Sequence, residues 1–140
     1  MAKSKGLNEW SLTFLRIVLG FIFAYHGYLK LFVPGGFTGT ISFFASINMP
    51  LPAYSALLVG IIEFVSGLFL IAGFMMRWAS LLLLINMAVA FFTVHVRHGI
   101  LVSKNGYEFV LVLMASLVFL IFNGGGKISL GKMFRGRHWK

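Results

Sequence analysis

The chain of 140 residues has no cysteine, which excludes disulfides, thiolate metal sites and thiol–disulfide relays within it. Acid is almost as scarce: Glu9, Glu63 and Glu108 are its only acidic side chains. Charged residues of either sign make up 11% of the sequence, against about a quarter in soluble domains. So few charges cannot cover a water-exposed surface, whereas a bilayer requires none there. No glycine-rich nucleotide loop is present, and no low-complexity tract beyond Gly124, Gly125 and Gly126.

What the sequence does have is apolar bulk, 59% of residues, at a mean hydropathy of +0.94. Its 12 Lys and Arg give a net charge of +9, a value that in other settings suggests nucleic acid. Here the basic residues lie mostly in tails and turns beside apolar runs, so they read as topology and attraction to anionic lipid, with no nucleic-acid partner.

A membrane-spanning helix needs about 20 mostly apolar residues. Four segments qualify, at about 11–32, 53–75, 77–96 and 107–123. Their runs are continuous, which excludes the alternation of a membrane β-barrel, and in hydrocarbon such segments must be helical. The expected fold is an all-α, four-transmembrane-helix antiparallel bundle in one domain over 1–140. The first run is too long for a signal peptide, contains Arg16 and lacks a small-residue cleavage site, so it reads as a retained span. A short interfacial helix is expected at Thr38 to Ile47 in the first loop, capped by Thr38 and stopped before Pro50. The turn between the second and third spans is nearly absent, centred on Met76 and Arg77.

Basic residues near span ends set orientation. Lys3, Lys5, Arg77 and the basic tail 127–140, with Lys127, Lys132, Arg135, Arg137 and Lys140, fall on one side. Lys30, Arg97 and Lys104 fall on the other, so both termini are expected in the cytoplasm. The aromatic belts partition the same way: Trp10, Trp78 and Trp139 on the first side, Tyr25, Tyr28, Tyr54 and Tyr107 on the second. The location expected is a cytoplasmic membrane.

Polar groups sunk in the bilayer are costly, about 2.5–3.5 kcal/mol for a charge at mid-membrane, and so mark candidate sites. Glu63 and Asn86 fall near the midplane by helical rise. His26 and Lys30 share a face one turn apart in the outer half of the first span. His95 and Glu108 stand at that same level on the third and fourth. Gly60, Glu63 and Gly67 share a face, which points Glu63 at a tight seam between helices. Each residue keeps two readings. Glu63 is either an acid held by Asn86 or a histidine, or a group that moves protons or binds ligand. Lys30 is a snorkelling interface cation or part of a polar cavity, and Glu108 a helix-end acid or a site acid. Arg16 snorkels or partners Glu9. Asn86 and His95, nine residues apart, stand about 180° around an ideal helix, so they face one pocket only if the helix bends. A metal at His95 and His98 has no nearby carboxylate to support it, and a haem between His26 and His95 has only similar depth.

The ordered set of RIVLGFIFAYHGYLKLF at Arg16 to Phe32, Glu63 ahead of GLFLIAGFMMRWA, Asn86 with His95, GYE at Gly106 to Glu108 and GGGKISL at Gly124 to Leu130 resembles the DoxX family. These are small four-helix bacterial membrane proteins, and the resemblance runs from Arg16 to Leu130. Some relatives look like the small membrane subunit of a thiosulfate:quinone oxidoreductase; others are linked to redox-stress complexes or to quinone and catechol tolerance. The resemblance implies a quinone-linked redox subunit. Glu63 and His26 are then the catalytic candidates, with Lys30, Asn86, His95 and Glu108 as ligand-binding residues and no metal. No cofactor is evident in the residues themselves, so electron transfer would need a bound quinone or a partner redox subunit. The alternative is a non-enzymatic scaffold, assembly factor or small-molecule carrier, with a homo-oligomer open in either case.

Overall fold

A computed structural model describes residues 2–131 of the chain. It is all-helical, with no strand among the described residues: α1 (Ala2–Leu31), α2 (Gly36–Ser46), α3 (Pro52–Ala72), α4 (Met76–Ala90) and α5 (Glu108–Asn123). A π turn (Phe91–His95) and a 3-10 turn (Val96–His98) continue α4. Three helices are long and apolar enough to cross a membrane, at Asn8–Leu31, Pro52–Ala72 and Met76–His98; α5 is apolar but shorter. The part of the expected basic tail at 132–140, including Trp139, lies outside the described residues.

The bundle is assembled from two pairs, α1 against α3 and α4 against α5, joined where α3 packs on α4. Glycine sets the first pair. A Cβ on Gly67 would fall 2.4 Å from the Ala24 backbone nitrogen, and one on Gly27 2.4 Å from that of Phe64. In lipid, where apolar burial gives no advantage over the solvent, such close backbone approach is what makes helix pairing favourable. The second pair meets through leucines: Leu83, Leu117 and Leu120 are fully buried, together with Leu70 of α3.

The α3–α4 turn comprises residues 73–75, earlier than the expected centre at Met76 and Arg77. The cause is Gly73, which adopts φ 71° and ends α3 three residues before the expected 75. Its N–H donates to Leu70 O at 3.2 Å and that of Phe74 to Phe69 O at 3.0 Å, a Schellman pattern. The Phe69 and Phe74 rings meet edge to face at 5.2 Å, the apolar contact that accompanies this cap. The short helix α2 begins two residues before the expected Thr38. Gly35, at φ 80°, turns the chain into it, and Thr38 caps nothing: its hydroxyl donates back to Gly35 O at 3.2 Å. The segment following α5, residues 124–131, folds back as a strap across the bundle end that carries the α3–α4 turn.

Candidate functional site

Five of the six residues expected to form the site line one cavity of about 630 Å³: His26, Lys30, Glu63, Asn86 and His95. It lies between α1, α3 and α4 at the end remote from the strap, with α2 and the start of α5 completing its wall. Glu63 comes from the middle of α3, on the face that Gly60 and Gly67 hold close to α1, and is 5% exposed. A carboxylate at such depth requires partners for both oxygens. Lys30 Nζ donates to Oε2 in an ion pair, and Asn86 Nδ2 donates to Oε1 at 3.2 Å. Lys30 therefore reaches inward along α1 rather than outward to the interface. Three helices are tied at a single acid.

His26 sits one turn before Lys30, exposed to the hollow, with no hydrogen bond to the described residues. His95 is held differently: its Nδ1 lies 2.8 Å from the Asn105 carbonyl oxygen. Because a carbonyl only accepts, this contact fixes the proton on Nδ1 in the neutral ring and leaves Nε2 as an acceptor. The π turn explains why His95 and Asn86 line the same hollow. One residue of insertion retards the helical phase by about 100°, reducing a separation of about 180° to about 80°. The turn is braced by Phe91, whose ring meets Tyr107 edge to face at 5.3 Å.

Glu108, the sixth residue, is absent from the wall. Its Oε1 accepts the Val102 N–H at 2.6 Å, closing the loop ahead of α5, where a carboxylate also complements the helix dipole. His98 is likewise engaged locally, Nδ1 against Val94 O at 2.6 Å, so His95 and His98 face separate backbone partners. Sequence reasoning missed the contribution of α2, the π turn and the loop before α5: Thr40, Phe43, Phe44, Thr93 and Asn105 all line the cavity. Phe43 and Phe44, with Thr40 one turn earlier, are the readable signal that the interfacial helix also forms a wall.

An aromatic-walled hollow with a neutralised acid–amine pair at its base, enclosed by helices apolar enough to cross a bilayer, defines a multi-pass membrane protein with an internal polar site. Comparison with known proteins agrees. The DoxX family model matches residues 11–96, and the chain belongs to the DoxX family. A protein of Haemophilus influenzae described as uncharacterized is 32% identical over 131 residues, covering 91% of this chain and 92% of its own. A Bacillus subtilis (strain 168) protein named "Putative oxidoreductase CatD" is 29% identical over 124 residues, 88% of this chain and 87% of that one. No solved structure matches.

Proposed function

We propose that the chain is the membrane subunit of a quinone-linked oxidoreductase, with the cavity as the site of the ring. The observation that carries this reading is the Lys30–Glu63–Asn86 cluster at the base of a cavity whose walls include Phe23, Phe43, Phe44 and Phe109. The residues present fit such a group: flat apolar walls accept a ring, and Lys30 and His26 supply N–H donors for its carbonyl oxygens. A bound quinone would supply two-electron, two-proton redox chemistry. The chain's own residues supply the rest. The aromatic walls exclude water, the paired Lys30 ammonium polarises an acceptor, and His95 Nε2 takes a proton from a hydroxyl. Glu63 holds or passes a proton through its shared contacts with Lys30 and Asn86. The name of the Bacillus subtilis relative points the same way. In this reading α5 is a fourth span, both termini lie in the cytoplasm, the cavity faces the outer half of the bacterial inner membrane, and a partner redox subunit passes the electrons on.

The test is purification in mild detergent, followed by solvent extraction for quinone and titration with a short-chain quinone. Retained quinone, or saturable binding weakened in His26→Ala and Glu63→Gln, supports the reading; neither retention nor binding ends it. One observation favours a second reading, a scaffold or small-molecule carrier. Both oxygens of Glu63 are already satisfied within the protein, as in an acid that locks three helices together. Under that reading Glu63→Gln changes stability and leaves no electron transfer to lose.

A further inference from the structure

Arg16 is 2% exposed, beside the α3–α4 turn at the end of the bundle away from the cavity. Three buried side-chain nitrogen or oxygen atoms among the described residues lack a hydrogen-bond partner, and two of them are Arg16 Nε and Nη1; the third is Ser80 Oγ. Only Nη2 is engaged, donating to the carbonyl oxygen of Ile128 in the strap. Arg16 is buried rather than snorkelling to the interface, and it makes no ion pair with Glu9. A guanidinium carries five N–H donors in a fork matched to carboxylate or phosphate, and burying it against one neutral carbonyl leaves most of that capacity unused.

What covers Arg16 is lightly held. A Cβ on Gly73 would meet Arg16 Nη1 on one side and Ser129 Cα, at 2.9 Å, on the other, so the guanidinium lies between the turn and the strap. The strap is fastened by polar contacts. Lys127 N–H donates to Glu9 O at 3.2 Å and Thr13 Oγ1 at 3.0 Å, Ser129 Oγ to Gly73 O at 2.8 Å, and Gly131 N–H to Gly73 O at 3.1 Å. Its large apolar side chains, Ile128 and Leu130, are exposed, so lifting the strap gives up little apolar packing. The same end carries Arg77, Lys127 stacked 5.3 Å from the Trp10 ring centroid, and the N-terminus of α4, which adds partial positive charge.

We propose that Arg16 anchors a second site, separate from the cavity, which takes a phosphate-type oxyanion in place of the Ile128 carbonyl as the strap lifts. The carbonyl occupies one donor position of the fork; the oxyanion takes Nε and the terminal nitrogens together and brings Arg16 the counter-charge that no ion pair supplies it among the described residues.

Hydrogen–deuterium exchange on the full chain tests this at the Lys127 and Gly131 amides, which the closed strap protects. Three conditions are compared with the protein in neutral detergent. These are inorganic phosphate, vesicles of phosphatidylcholine, whose own ammonium offsets its phosphate, and vesicles of phosphatidylcholine with an equal part of phosphatidylglycerol. Exchange accelerated by about tenfold with phosphatidylglycerol alone assigns a lipid headgroup, and acceleration by inorganic phosphate as well assigns the free ion. Identical exchange under all conditions overturns the proposal. In Arg16→Met the strap exchanges fast whatever is added; a response equal to the unmodified chain's overturns the proposal. Should that variant not fold, Arg16→Lys retains the charge without the fork, and its apparent affinity is expected to fall by about tenfold. Unchanged affinity there also counts against the site.

Discussion

The two ends of this bundle handle polarity in opposite ways. At the cavity end, space is left open and the charged groups satisfy one another: Glu63 takes Lys30 and Asn86, and His95 is fixed by a backbone carbonyl. At the strap end, space is filled by leucines with essentially no exposure, while a guanidinium is left with two idle nitrogens. Volume is thus conserved for binding where charge is already balanced, and charge is held in reserve where volume is already full. The contrast separates residues whose substitution disturbs folding from those whose substitution disturbs a ligand.

The largest effect is expected at the glycine seam that both ends share. Gly67→Val pushes α1 off α3 and should cost about 3 kcal/mol, read as early unfolding in a denaturing-detergent titration; Gly39→Ala, with nothing within 4 Å, should leave the transition unmoved. At the cavity end, Glu63→Leu strands a mostly buried ammonium, Lys30 being 23% exposed, and should cost about 2 kcal/mol. Adding Lys30→Met should restore most of that loss, and the double-mutant cycle measures the coupling. At the strap end, Leu83→Ala opens a void and should also cost about 2 kcal/mol, the lower part of the usual range because lipid solvates leucine in the unfolded reference. Ser129→Ala removes one of the two hydrogen bonds that the Gly73 carbonyl accepts and should cost about 1 kcal/mol, seen as faster exchange at Gly131 as the strap loosens. The smallest effect sharpens the contrast most. Thr93→Leu adds bulk to an open wall, so it should shift stability by less than about 0.5 kcal/mol while weakening quinone binding. An equal stability loss from Thr93→Leu and Leu83→Ala would erase the distinction between the ends.

Helices were legible where composition alone decides them. Uninterrupted apolar runs located every long helix, and the scarcity of acid made Glu63 conspicuous. Boundaries depended on single residues whose backbone state composition does not encode: Gly73 at φ 71° ended α3 early, and Gly35 moved the start of α2. The site was legible where helical phase holds, as for His26 with Lys30 four residues apart, and for Glu63 among glycines. It failed where an irregular loop or a long interval decides the partner. Glu108 matched the right depth but bonds to the loop six residues before it, and Arg16 meets a carbonyl 112 residues away. No helical periodicity records the loop path that gives Glu108 its partner, nor the folding-back of the strap that brings Ile128 to Arg16.

The π turn at Phe91–His95 has a consequence for how this architecture varies between sequences. Straightening it into a regular α-helix at constant length would leave hydropathy and every named side chain in place, yet rotate the downstream imidazole by about 100°, out of the cavity. Two chains with indistinguishable profiles could then differ in whether they own a complete pocket at all.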